Sequence, residues 1–138
     1  MQSYPLLKEV QGVTLIITAQ AEAEMISDVR NQCAKNGMKH FWIDLRGANQ
    51  ALMTSKSTLT YLRQRVSKLF GILSTNKERA VLHCAAGVHR TGTIGYTLLR
   101  MHGQLSGEEA YEALGKMRQE TRKGVGDWRI KLAEEHLV

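Results

Sequence analysis

Residues 80–92 of the chain have the sequence AVLHCAAGVHRTG, in which a short apolar run leads into small residues and then into a basic one. The run Ala80–His83 is typical of a buried strand. The segment from Thr91 to His102 has helical character, and Gly103 is a suitable residue to end a helix. A strand that passes through a short loop into a helix is a repeating unit of α/β folds. We therefore expect the segment from Cys84 to Arg90 to be such a loop.

The residues before this stretch show the same alternation. The run Val13–Thr18 predicts a buried strand, Ala21–Asn36 predicts a helix, and His40–Leu45 predicts a second strand. Between residues 59 and 73, apolar residues recur at helical spacing, which indicates an amphipathic helix. Strands that are joined through helices pair in parallel. We therefore predict an α/β fold, with a small, mostly parallel central sheet flanked by helices in one domain over residues 1–138.

Two more helices are predicted towards the end of the chain. Ser106 and Glu109 have the spacing of a capping box, which predicts a helix that continues to about Gln119. Asp127 is a candidate cap for a last helix over Trp128–His136.

The loop between the third strand and its helix has the features of an anion-binding site. A loop that enters a helix N-terminus directs several backbone N–H groups at one point, and the helix dipole adds partial positive charge there. Gly87 permits backbone angles that other residues resist. The guanidinium of Arg90 can bind two oxygens of one phosphate, which a lysine cannot do. We therefore expect a phosphate group to be bound by Ala85, Ala86, Gly87, Val88, His89 and Arg90.

Cys84 opens the same loop and is the candidate nucleophile. A thiol surrounded by backbone amides and Arg90 has a lowered pKa and exists as a thiolate near neutral pH. A thiolate beneath a bound phosphate is placed for in-line attack on phosphorus. Thr91 is expected to hydrogen-bond the sulfur and stabilise it as a leaving group. We expect His83 to hold the loop through a backbone hydrogen bond rather than to act as a base.

The segment His83–Gly92 resembles the signature H-C-x5-R-T-G of the cysteine-based protein phosphatases, the superfamily of protein tyrosine and dual-specificity phosphatases. The order of the predicted strands and helices extends this resemblance over most of the chain. The resemblance implies a single phosphatase catalytic domain over residues 1–138, with a phosphatase-type phosphate loop, a phosphocysteine intermediate and no cofactor. It points to a small, atypical dual-specificity enzyme that hydrolyses phosphomonoesters on protein, at tyrosine and also at serine or threonine.

In the family that this segment resembles, an aspartate protonates the leaving oxygen. Of the aspartates in this chain, Asp28 lies inside a predicted helix, whereas Asp44 lies near the end of the second predicted strand. The carboxyl ends of parallel strands meet at one edge of a sheet, which brings Asp44 to the edge where Cys84 lies. Asp44 is therefore the favoured acid. Asp127 is the alternative if residues 123–127 form a loop at this edge, and Asp44 could instead pair with Arg46 or cap its strand.

Composition narrows the class of protein and its partners. The chain has 138 residues, of which 43% are hydrophobic and 23% charged, as in globular domains. Its longest apolar run is too short to span a membrane. Two cysteines at unrelated positions do not form a disulfide framework, so we expect a reducing compartment, the cytoplasm or the nucleus. No metal is expected at the site, because Arg90 and the loop amides neutralise the phosphate.

The net charge of +6 leaves more than one substrate class open. No acidic residue occurs from Leu45 to Lys77, whereas several lysines and arginines do. A phosphorylated protein is the expected substrate, and nucleic acid or anionic lipid remains open as a partner. The alternatives are therefore a phosphatase that acts on RNA 5′ ends or phosphoinositides, and a phosphate-binding module without turnover.

Overall fold

A three-stranded parallel sheet lies at the centre of the part of the chain that the computed structural model describes, namely residues 4, 8, 11–21, 26–84, 89–103 and 105–138. The strands are β1 (Leu15–Ala19), β2 (Lys39–Ile43) and β3 (Ala80–His83), and their order in the sheet is β2-β1-β3. Both pairings are parallel. The predicted α/β class and the parallel sheet are therefore confirmed.

The predicted strand ends are correct for β3 and slightly displaced for the other two strands. The first predicted strand began and ended too early, and the second was extended past Ile43. The physical reason is the pairing register, in which the last partners are Ala19 and Ile43. Residues beyond this pair have no neighbouring strand residue to bond.

Seven helices have both of their ends within the described ranges. They are α1 (Ile26–Lys35), α2 (Gln50–Met53), α3 (Lys56–Thr75), α4 (His89–Met101), α5 (Gly107–Met117), α6 (Gln119–Val125) and α7 (Asp127–His136). The predicted capping box at the start of α5 is confirmed, because the side chains of Ser106 and Glu109 each accept a hydrogen bond from the other's backbone N–H.

The prediction around residue 127 was wrong in two respects. Most of the suggested loop over residues 123–127 lies in α6, and Asp127 is the first residue of α7 rather than its cap. The residue between the two helices is Gly126, whose φ is 78°. Only glycine adopts such a φ readily, so α6 and α7 are joined by one residue that fixes the turn.

The two faces of the sheet carry different apolar clusters, because side chains alternate along each strand. Ile16 faces one side, where it packs with Val29 and Cys33 of α1. The other face carries Ile17, which belongs to the larger cluster formed with α3, α4, α5 and α7. Helices therefore flank both faces of the sheet. None of the helices in the described part of the chain combines the length and the apolar character that a membrane span requires.

Helix α4, which follows the candidate phosphate loop, is packed closely against α5 and α6. A Cβ atom added to Gly92 would lie 2.8 Å from Cβ of Val125 in α6, and one added to Gly95 would lie 3.1 Å from Leu114 in α5. Glu134 of α7 accepts hydrogen bonds from Tyr96 and Arg100 of α4. These contacts fix the start of α4 relative to the sheet.

Candidate active site

Cys84 follows the last residue of β3 and lies at the carboxyl edge of the sheet. It is buried, with 8% of its surface exposed. Thr91, in the first turn of α4, donates a hydrogen bond from Oγ1 to the Cys84 sulfur, at 3.1 Å. A hydroxyl that donates to the sulfur favours the thiolate over the thiol. The strand end and the helix start therefore meet at the sulfur.

The proposed phosphate-binding residues are only partly within the described ranges. Ala85, Ala86, Gly87 and Val88 lie outside the described residues. His89 and Arg90 are the first two residues of α4. His89 is exposed, whereas Arg90 is buried, with 8% of its surface exposed.

Arg90 connects the start of α4 to the segment that follows β2. Its Nη1 donates a hydrogen bond to the backbone carbonyl of Leu45, at 2.8 Å. Leu45 is adjacent to Asp44, the favoured acid. One arginine therefore ties the helix that follows Cys84 to the backbone beside the candidate acid.

His83 is held on both sides of its ring. Its Nε2 lies 2.8 Å from Oγ1 of Thr18 in β1. The ring also forms a hydrogen bond with the backbone of Cys84. Burial, together with the nearby His40, lowers the pKa of His83 to about 4. The imidazole is thus neutral near pH 7 and hydrogen-bonded to the residue that carries the sulfur.

Asp44 lies at the carboxyl end of β2 with an exposed side chain. Its backbone N–H donates to the hydroxyl of Tyr61, at 2.8 Å. Asp44 and Tyr61 are among the residues that line an open cavity of about 220 Å³. The segment that carries Asp44 is therefore anchored by α3 on one side and by Arg90 on the other.

Asp127 lies in a different place. It lines a separate cavity of about 620 Å³, together with residues that include Tyr96, Glu108 and Ile130. This cavity shares no lining residue with the one at Asp44. The geometry therefore connects Asp44 to Arg90 through the adjacent residue Leu45.

Arg129 of α7 was not selected by any sequence motif. It donates from Nε to the carbonyl of Ala48, at 2.8 Å, and from Nη1 to the carbonyl of Val125, at 3.0 Å. Its guanidinium lies over the ring of Trp128, 4.3 Å from the centroid. Burial and the charge of Arg129 both lower the pKa of His89. Arg129 thus holds the segment after β2 at Ala48, whereas Tyr61 holds it at Asp44.

In the described part of the chain, no three His, Cys, Asp or Glu side chains are close enough together to hold a metal ion.

Comparison with known proteins gives a likeness of fold. No protein-family model and no curated protein matches the chain. The crystal structure of Tk-PTP, a protein tyrosine phosphatase, in its active form matches with a TM-score of 0.63 at 19% identity, over 99% of this chain and 86% of that one. A mutant form of Tk-PTP matches with a TM-score of 0.63 at 20% identity, over 98% of this chain and 84% of that one. The chain therefore has an α/β fold like that of a protein tyrosine phosphatase.

Proposed function

We propose that the chain is a cysteine-dependent phosphatase that hydrolyses phosphomonoesters through a phosphocysteine intermediate. The observation that carries the proposal is the hydrogen bond from Thr91 to the Cys84 sulfur, formed where β3 ends and α4 begins. A helix N-terminus beside a thiol stabilises its thiolate, and Arg90 lies in the first turn of the same helix as Thr91. The likeness of fold to Tk-PTP supports the same assignment.

The reaction has two steps in this proposal. The Cys84 thiolate attacks phosphorus, the bond between phosphorus and the ester oxygen breaks, and Asp44 gives that oxygen its proton. Water then attacks the phosphocysteine, Asp44 takes a proton from it, and the sulfur leaves as a thiolate. Thr91 stabilises the departing sulfur by its hydrogen bond. Arg90 and the loop amides bind the oxygens of the transferring group in both steps.

Protein phosphotyrosine, together with phosphoserine and phosphothreonine, is the substrate class that we propose. The segments that surround Cys84 are short, since only residues 44–49 separate β2 from α2 and residues 84–88 separate β3 from α4. Short segments around a site leave the pocket for the substrate side chain shallow. A shallow site admits the short phosphoserine side chain as well as the longer phosphotyrosine, which is the basis for proposing dual specificity.

A basic surface near the candidate site makes RNA and anionic lipids alternative substrates that need to be tested. Exposed cations on and beside α3 include Lys56, Arg63 and Lys68, and the segment after β2 adds Arg46. Positive surfaces attract RNA and anionic lipids as well as phosphoproteins. A phosphatase for RNA 5′ ends or phosphoinositides is therefore the second candidate, and a phosphate-binding module without turnover is the third.

The first experiment asks whether Cys84 carries out turnover. We expect hydrolysis of p-nitrophenyl phosphate by the parent protein and loss of that activity in Cys84→Ser. Cys33→Ala is the matched control, because Cys33 is also a buried cysteine outside any disulfide but lies in the α1 cluster. Activity in Cys84→Ser within about tenfold of the parent would contradict the assignment.

The second experiment separates the substrate classes. The parent protein is given phosphotyrosine, phosphoserine and phosphothreonine peptides, a phosphoinositide, and 5′-triphosphorylated RNA at equal concentration. We expect the highest kcat/KM with the peptides. A higher kcat/KM with RNA or lipid would replace the proposed substrate class. Phosphate binding without turnover of any substrate would favour the silent module.

A further inference from the structure

Three polar side chains from the three strands are hydrogen-bonded in a row across one face of the sheet. His40 of β2 lies with Nε2 2.9 Å from Oγ1 of Thr18, and His83 of β3 lies with Nε2 2.8 Å from the same oxygen. Thr18 is completely buried. We call these three residues the His–Thr–His triad. The triad ends at the residue that precedes the candidate nucleophile.

The direction of each hydrogen bond in the triad can be worked out. The hydrogen bond between the His83 ring and the Cys84 backbone raises the pKa of His83, so the ring donates in it. Since Nε2 of His83 faces Thr18, the donor to Cys84 is Nδ1. Neutral His83 then has only Nε2 as an acceptor. Thr18 has one proton, which it must give to His83, so it accepts from Nε2–H of His40.

We propose that Thr18 and His40 are positioning residues for Cys84: they fix His83 in the tautomer whose Nδ1–H holds the Cys84 backbone. The effect on turnover rests on the proposed phosphatase function, whereas the tautomers do not. The Cys84 carbonyl accepts from Nδ1–H, and the Thr18 hydroxyl supplies the donor that Nε2 needs in the same tautomer. Without this hydroxyl the Nδ1–H tautomer is less favoured, so the hydrogen bond to Cys84 is weakened and the thiolate becomes less stable.

The surroundings of the triad favour the neutral rings that this arrangement requires. Burial and the nearby Arg30 of α1 lower the pKa of His40. The Arg30 guanidinium lies over the ring of Trp42, the next residue of β2 on the same face, 5.8 Å from the centroid. Burial and His40 lower the pKa of His83. The cation that α1 places beside the triad therefore opposes its protonation.

The first test observes the tautomers directly. Long-range ¹H–¹⁵N correlation spectra of the parent protein near pH 7 distinguish Nδ1–H from Nε2–H imidazoles. We expect His83 as the Nδ1–H tautomer and His40 as the Nε2–H tautomer. In Thr18→Val, which removes the hydroxyl at nearly constant volume, we expect the fraction of the Nδ1–H tautomer of His83 to fall. The opposite tautomer at either histidine in the parent protein would overturn the proposal.

The second test measures the consequence at the sulfur. The rate of alkylation by iodoacetamide is followed against pH by mass spectrometry, which separates Cys84 in the tryptic peptide 80–90 from Cys33 in the peptide 31–35. We expect Thr18→Val to move the Cys84 profile to higher pH and to lower the rate near pH 6 about three- to tenfold, the effect of one hydrogen bond. Thr18→Ser, which keeps the hydroxyl, should restore the parent profile.

The matched control is Thr97→Val. Thr97 is also completely buried, and its hydroxyl donates only within its own helix, to the carbonyl of Thr93 at 2.7 Å. We expect this variant to leave the Cys84 profile unchanged. An equal shift in Thr97→Val, or an unshifted profile in a folded Thr18→Val, would overturn the proposal. Neither readout requires turnover, so a protein that lacks phosphatase activity would still decide the role of the triad.

Discussion

At the scale of single residues, Arg90 is oriented by the protein itself. Its buried guanidinium already donates to the Leu45 carbonyl, and Leu45 follows Asp44 directly. A cation that is held in place before the substrate arrives loses little entropy when a phosphate binds. The same hydrogen bond makes the position of the Asp44 backbone depend on Arg90.

We predict that Asp44→Asn reduces activity in proportion to how poor the leaving group is. Hydrolysis of phenyl phosphate should fall about 10²- to 10⁴-fold, because the phenolate needs a proton in order to leave. Hydrolysis of p-nitrophenyl phosphate should fall much less, since that phenol leaves readily as an anion. The measurement is kcat for both substrates, with Asp127→Asn as the matched control. A uniform loss over both substrates, or leaving-group dependence in Asp127→Asn, would refute the role of Asp44.

The lowered pKa of His83 leads to a prediction of how the stability of the protein depends on pH. In the folded protein the pKa of His83 is about 4, below the ordinary value of 6.5. Between these two pH values His83 is therefore protonated in the unfolded chain and neutral in the folded protein. The free energy of unfolding should therefore be highest above pH 6.5 and decrease as the pH falls towards 4, by up to about 3 kcal/mol from this residue. Urea unfolding at pH 7.5 and 4.5 should show a smaller decrease in His83→Gln than in the parent. Equal decreases would contradict the lowered pKa.

At the scale of elements, the start of α4 is set by a close contact. Gly92 is packed against Val125 of α6, with space for no further atom. Thr91 and Gly92, which follow Arg90 in the motif, therefore have different roles. Thr91 donates a hydrogen bond to the Cys84 sulfur, and Gly92 allows α6 to pack closely against α4. Displacing α6 would shift the helix start that carries Arg90.

We predict that Gly92→Ala destabilises the protein by about 1–3 kcal/mol, because the new methyl group overlaps Val125. Gly71→Ala is the matched control: Gly71 also lies in a helix, α3, and an added Cβ there meets nothing within 4 Å. It should stabilise the protein by about 0.5–1 kcal/mol. Urea unfolding monitored by circular dichroism measures both. Stabilisation by Gly92→Ala would disprove the close contact, and Val125→Ala should partly relieve the loss.

Elements with a local signal were predictable from the sequence. The strand β3 has a continuous apolar run that ends at the Cys84 loop, and α5 has a capping box, so both were placed correctly at their starts. Helices α2 and α6 have only 4 and 7 residues, too few to show a helical period. They depend on burial of single apolar residues, Met53 and Val125, which no local pattern reveals.

In the candidate site, too, residues that belong to a local motif were predictable and residues brought together by the fold were not. Cys84, Arg90 and Thr91 lie within eight residues of one another, so a motif could identify them. Arg129 could not be found, because its partner at Ala48 lies 81 residues away and is a backbone carbonyl that carries no side-chain signature. The triad was missed for a similar reason, since its 65-residue separation between Thr18 and His83 follows only from the register of β1 and β3.

At the scale of the whole molecule, the middle strand β1 pairs with two strands that lie at very different distances from it along the chain. Thr18 of β1 pairs with Trp42 of β2, which is close in the chain, and with His83 of β3, which is much farther away. Closing the longer connection costs about 1 kcal/mol more in chain entropy. We infer that β1, α1 and β2 associate before β3 and α4 join them.

This order predicts the folding kinetics of two core variants. Val29→Ala, in α1, should mainly slow folding, because its contacts form early. Ile94→Val, in α4, should mainly accelerate unfolding. Stopped-flow refolding and unfolding over a range of urea concentrations measure both rates. The reverse assignment of the two effects would rule out this order of association.

The central place of β1 also bears on when the proposed active site is assembled during biosynthesis. Arg90 reaches the Leu45 carbonyl only after β3 has paired with β1, the strand that lies between β3 and β2. A nascent chain that ends before α4 would hold the cysteine without its arginine, and its thiol would be an ordinary one. Catalytic competence should therefore arise in the last cooperative step of folding, and partly synthesised chains should be inert towards phosphoesters.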